Sequence, residues 1–140
     1  MKKAIIASLL TIGTAAFAGD VTVSAVRDYN VEHNGFRVGT TLKGITLSAT
    51  HIDEGYNRYA VGKDFALTKV GPVALSAGGS VSFQDTFNGA GGYGLTVGAT
   101  ATMPVTKTID VVASVERSAG QERISKFNGN TGAIGLKVKF

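Results

Sequence analysis

The sequence predicts an all-β fold: an eight-stranded antiparallel up-and-down transmembrane β-barrel, following a cleaved signal peptide. Three observations predict it. Apolar and small polar residues alternate with a period of two along most of the chain after residue 19. The alternating runs fall into eight strands of about nine to eleven residues, the length of a tilted membrane-spanning strand. The connectors also alternate, short turns with longer polar or Gly-rich loops.

Composition narrows the class. The chain has 140 residues, no Cys, no Trp, two Pro and 19 Gly, and 17% of it is charged. That length supports one domain, and the absence of Cys excludes disulfide-stapled or Cys-ligated metal modules. A hydrophobic fraction of 44% is too high for a disordered chain.

Residues 1–18, MKKAIIASLLTIGTAAFA, have the layout of a secretory signal peptide. Lys2 and Lys3 precede an apolar stretch too short to span a membrane, then the small-x-small triplet Ala16-Phe17-Ala18. Cleavage is expected before Gly19, leaving residues 19–140 as the barrel domain. Removing Lys2 and Lys3 lowers the formal charge from +4 to +2, far from the basic bias of a nucleic-acid binder.

The first strand is expected over 20–29, where Val21, Val23 and Ala25 alternate with Thr22 and Ser24. The second covers 35–42, the third 45–53 and the fourth 58–69, with Tyr59, Val61, Phe65 and Leu67 on one parity. The fifth runs from Val73 to Gln84, the sixth from Tyr93 to Met103 and the seventh from Ile109 to Glu116. The last carries Ile134, Leu136, Val138 and Phe140 on one face. Connectors after the second, fourth and sixth strands are short and hold both prolines, where no ladder donor is lost. Those after the first, third, fifth and seventh are expected to be longer. The stretch 88–92 is read as a loop tip, because it lacks the Lys-Ser/Thr ending and following helix of a phosphate loop.

Which face points outward decides between a membrane barrel and a soluble one. The second face is almost all Gly, Ala, Ser and Thr, which suits the crowded interior of an eight-stranded barrel. The apolar face is therefore assigned outward, toward lipid. Tyr29, Phe36, Tyr59, Phe83 and Tyr93 lie toward the loop ends of their strands, as an interfacial aromatic girdle requires.

With signal, strand count and terminus together, the chain resembles the small bacterial outer-membrane β-barrel proteins, the eight-stranded OmpA/OmpX-type and porin-like group. The last strand, Gly135-Leu136-Lys137-Val138-Lys139-Phe140, is the most specific element of the resemblance. It implies that Phe140, supported by Val138 and Leu136, is read by the barrel-assembly machinery. It also implies the outer membrane of a Gram-negative bacterium, with both termini on the periplasmic side.

Parity places Arg37, Asp64, Asp110, Glu116 and Lys137 inside, together with Asp28 and Lys139. A low-dielectric interior disfavours unpaired charges, so an internal salt-bridge network is expected. Lys63 shares the outward parity near mid-strand, beside small neighbours expected to be Ala49, Ala77 and Gly79, and is read as snorkelling along that groove, with a subunit contact there as the alternative and the oligomeric state left open. Arg27, Arg58, Arg117, Arg123 and Lys126 gather toward the loop end, where they could meet lipopolysaccharide phosphates. His51 and Asp53 share a face, with Tyr59 expected across from them, but Ser48 lies on the opposite face. No nucleophile accompanies the pair, so a lipid A-modifying enzyme is a minor reading. No cofactor, no metal site and no catalytic residue are assigned. The expected role is structural or surface-interactive with a side-chain-filled polar lumen; the alternative is a small passive porin-like channel.

Overall fold

The structure, a computed structural model, describes residues 19–86, 91–120 and 129–139. The expected signal segment, Phe140, Arg123 and Lys126 lie outside the described residues. Eight strands follow in order: β1 (Asp20–Asp28), β2 (His33–Leu42), β3 (Ile45–Ile52), β4 (Tyr56–Val70), β5 (Val73–Thr86), β6 (Gly91–Pro104), β7 (Ile109–Gly120) and β8 (Gly129–Lys139). Each pairs antiparallel with the next, and β8 pairs with β1 to close the barrel. Closure gives every ladder group a partner strand and leaves no edge to template another chain.

The register is staggered. From Ala60 the pairing runs through Ser48, Gly39 and Thr22 to Lys137, near the end of β8. From Gly62 it runs the other way, through Ser80, Thr96 and Ser118, to Gly129 at the start of that same strand. Such an offset tilts the strands against the barrel axis.

The apolar parity faces outward. Val23, Val61, Val81, Leu95, Val97, Val115 and Ile134 are each between 53% and 66% exposed, while Ser24, Thr50, Ser82, Thr96 and Thr131 of the alternate parity are buried inside. Small inward residues are a steric requirement here. A Cβ on Gly135 would lie 2.2 Å from the Val23 carbonyl oxygen and 2.4 Å from Ser24 Oγ. Part of the outer wall is itself packed: Val38 and Ala49 are covered by Val21 and Tyr59.

Two turns have the chirality that tight hairpins demand. Lys43 and Gly44 both have positive φ (51° and 81°), the primed geometry matching the twist of the flanking strands. Gly71 has φ 59° before Pro72 and joins Val70 to its partner Val73. The connectors at the opposite end are shorter than the sequence suggests. Residues 29–32 and 53–55 link β1 to β2 and β3 to β4, because β4 begins at Tyr56 and the ladder continues past the last bulky alternating residue. A bulge in β4 shifts the register between Ala66 and Thr68, with Leu67 as the extra residue. It turns Val70, which strict alternation would send inward, to the outside, where it is exposed.

Candidate functional site

The interior divides into a closed loop end and a hollow middle. At the loop end Tyr56 comes from the first position of β4, and its hydroxyl donates to Asp28 Oδ2 on β1. The other Asp28 oxygen accepts from the backbone N–H groups of Asn30 and Val31, at 2.8 and 3.2 Å, an Asx turn that ties the plug to the first loop. Arg58 stacks on the Tyr56 ring, 4.8 Å from its centroid, and donates Nε and Nη2 to Gln84 Oε1 at 3.0 and 2.8 Å. Val26, Ile52, Tyr56 and Ala133 pack beneath as an apolar cluster, with Val31 against it. Tyr56, Ile52 and Asp28 are at most 1% exposed.

Below the plug lies a cavity of about 380 Å³ lined by hydroxyl-bearing and small residues, among them Ser24, Thr46, Ser48, Ser80 and Thr100. Its lining runs from Arg58 down to Gly44 in the first turn. Arg37 crosses it to pair with Glu116 through both Nη atoms, and donates Nε to Thr50 Oγ1 at 2.8 Å. Toward the turn end Lys139 Nζ is 3.0 Å from Asp110, and Lys137 Nζ is 3.8 Å from Asp20.

The expected network thus exists as separate pairs, and Asp64 departs from it. It has no ion-pair partner within 4 Å among the described residues. Its carboxylate instead lies over Gly78, where a Cβ would meet Asp64 Oδ1 at 1.9 Å, and it faces the open cavity. The lumen expected to be filled by side chains is instead hollow at this level, so that Asp64 faces open space rather than a counter-ion. Asp20, the partner of Lys137, was not anticipated, being read only as the start of the first strand.

Other assignments also move. Arg58 is not a rim cation: it is 4% exposed inside the barrel. Its parity, shared with Ala60, Gly62 and Asp64, was the signal that could have found it. The same parity carried two residues further back reaches Tyr56. His51 faces Asn57 across the ladder rather than Tyr59, which pairs with Ala49. Its Nδ1 lies 2.7 Å from Asn57 Oδ1 and its Nε2 3.1 Å from Asp53 Oδ1, and its ring leans on Phe36 on the outer wall. Lys63 is opposite Gly79 as expected, but Ala49 lies well up the ladder beside Tyr59. Its ammonium sits 5.4 Å from the Phe65 ring centroid.

Phe36, Tyr59, Phe83 and Tyr93 lie on the outer wall in the loop-end half of their strands, Phe83 and Tyr93 meeting edge-on at 5.5 Å, whereas Tyr29 lies one residue past β1, in the first loop rather than in the strand expected to hold it. Arg27 and Arg117 stay on the outer surface there. Val138 and Leu136 also face outward on β8. Among the described residues no group of three or more His, Asp or Glu side chains could hold a metal ion.

This geometry, an apolar exterior around a polar lumen in eight staggered strands, defines a small barrel of the outer-membrane type, and solved structures share it. A de novo designed transmembrane β-barrel matches with a TM-score of 0.61 at 13% identity, over 87% of this chain and 94% of that one. Neisserial surface protein A (NspA) matches with a TM-score of 0.51 at 16% identity, over 87% and 94%. A second designed barrel, determined by solution NMR, matches with a TM-score of 0.53 at 15% identity, over 88% and 94%. These likenesses are of fold. No protein-family model matches the chain, and no curated protein does.

Proposed function

We propose that the protein is an integral outer-membrane β-barrel of a Gram-negative bacterium, with a structural or surface-interaction role and a lumen that does not conduct at rest. The observation that carries this reading is the plug. Asp28, Tyr56, Arg58 and Gln84 close the loop end with side chains that are all buried. Export through a cleaved signal peptide and assembly by the barrel-assembly machinery, reading Phe140 with Val138 and Leu136, complete the proposal. Single-channel recording of the reconstituted protein tests it. The expected trace is flat; steady open steps in the wild-type protein would defeat the plugged reading.

The second reading, a small passive pore, is favoured by the hollow below the plug and by the Asp64 carboxylate that faces it. A conducting state would need Tyr56 and Arg58 to leave the axis. Catalysis on lipid A has weaker support, since His51 contacts Asn57 and Asp53 on the outer wall whereas Ser48 lines the cavity. Overexpression is expected to leave lipid A mass spectra unchanged; a new or missing acyl chain would restore the enzyme reading.

A further inference from the structure

Outside the lumen, charge gathers around one strand at the loop end of the outer wall. Arg27 on β1 is paired with Gly132 of β8, and Arg117 on β7 with Asn130 of β8. The two arginines therefore flank β8. Between them β8 presents a glycine, and the Tyr29 ring lies over it. A Cβ on Gly132 would meet Tyr29 Cε2 at 3.1 Å and its hydroxyl oxygen at 3.2 Å. Tyr29 thus covers the strand that lies between the two arginine-bearing strands, and brings a hydroxyl there.

Both arginines are held without being neutralised, Arg27 from β2 and Arg117 from β8. Arg27 Nη1 donates to Asn34 Oδ1 at 3.1 Å, and Arg117 Nη1 to Asn130 Oδ1 at 3.5 Å. An amide carbonyl orients a guanidinium without cancelling its charge. Neither arginine has an ion-pair partner among the described residues, whereas Arg37, Lys137 and Lys139 in the lumen all do. The remaining N–H groups of each fork are available to an acceptor. The backbones lie two strand spacings apart and are offset by two residues along β8, on the order of 12 Å in all, a gap that two extended arginine arms can close on one anion. Toward mid-barrel from this pair the wall turns apolar: Ile134 is 66% exposed and Val115 65%. An anion held here would have greasy surface directly beneath it, which suits an amphiphile better than a free ion.

We propose that Arg27, Arg117 and Tyr29 form a subsite for the phosphate of a lipid headgroup, with an acyl chain lying on Val115 and Ile134. The inference rests on the lipid-facing reading of the outer wall and deepens it by naming the headgroup chemistry.

The test titrates the processed barrel in detergent micelles with diphosphorylated lipid A and reads bound lipid by native mass spectrometry. Enzymatically dephosphorylated lipid A is the comparison, and inorganic phosphate the competitor. The expected result is phosphate-dependent binding that the pair Arg27→Ala/Arg117→Ala weakens about tenfold or more. Arg27→Lys/Arg117→Lys, which keeps charge but loses the fork, should fall between, and Lys63→Gln should bind as the wild type does. Arg27→Gln/Arg117→Gln serves if the alanine pair does not give the heat-modifiable gel mobility of a folded barrel. Equal affinity of a folded double variant, or equal binding of dephosphorylated lipid A, would overturn the subsite. Displacement by equimolar inorganic phosphate would overturn the lipid as its ligand. A processed chain that is monodisperse without detergent would instead remove the lipid-facing reading beneath it.

Discussion

Arg58 shows how a single residue can be misplaced when position along the chain is weighed above parity. It sits near the loop end, among exposed arginines in the sequence, yet its even number in β4 puts it in the lumen with Ala60 and Asp64. Once inside, its guanidinium must be held, and among the described residues only two of its three nitrogens are: Nη1 and the Gln84 amide nitrogen find no partner there. The pair is thus a closure device with an energetic cost. Arg58→Ala should destabilise the barrel by about 1–3 kcal/mol, because it strands the Gln84 carbonyl and uncovers the Tyr56 ring. Replacing both partners by apolar residues of similar volume, Arg58→Met with Gln84→Leu, should stay within about 1 kcal/mol of the wild type. Urea unfolding in micelles, followed by loss of heat-modifiable mobility, measures both. A double variant as weak as the single one would contradict this view of the plug. Arg37 and Glu116 were legible from parity alone, since strands β2 and β7 put both on the inner face. The partner of Lys137 was not, because Asp20 precedes any visible alternation.

At the scale of the strand, what the sequence conveys depends on how bulky the outward residues are. The run from Tyr93 to Met103 alternates large and small, and β6 contains all of it. The start of β8 is silent by comparison. Gly129-Asn130-Thr131-Gly132-Ala133 has no large outward side chain, so the strand is visible only from Ile134 although pairing begins at Gly129. The same silence makes the loops look longer than they are. The bulge in β4 was illegible for another reason: it adds a residue without changing composition. It has a sharp consequence, since a one-residue change in an unbulged strand sends every following side chain to the other face. Deleting Leu67 should therefore leave Thr68, Lys69 and Val70 on their present faces and give a folded barrel. Deleting Val97 from β6 should abolish folding, because it would turn Ala99 and Ala101 inward and drive Gly98 and Thr100 out. Recovery of heat-modifiable barrel after refolding compares the two. Equal loss from both deletions would refute the bulge register.

For the whole molecule, one arrangement governs the rest: large apolar side chains outside, small polar ones around the axis. The closed pairing of β8 with β1, the separate lumen ion pairs and the arginine pair beside Tyr29 all take their meaning from it. Both the strand count and the facing were readable in the sequence, because inward positions in an eight-stranded barrel tolerate little volume. The plug was not, because Asp28 and Tyr56 meet across the lumen from strands whose ends the alternation does not mark. The absence of Trp from the chain makes the arrangement directly measurable, since any introduced Trp is the sole indole reporter. Leu95→Trp and Thr96→Trp differ by one position in β6, with Leu95 63% exposed and Thr96 buried. In bilayers of bromine-labelled lipid, the Trp at position 95 should be strongly quenched and the Trp at position 96 barely affected. Strong quenching at 96 with protection at 95 would mean that the barrel is turned the other way, and would contradict the account.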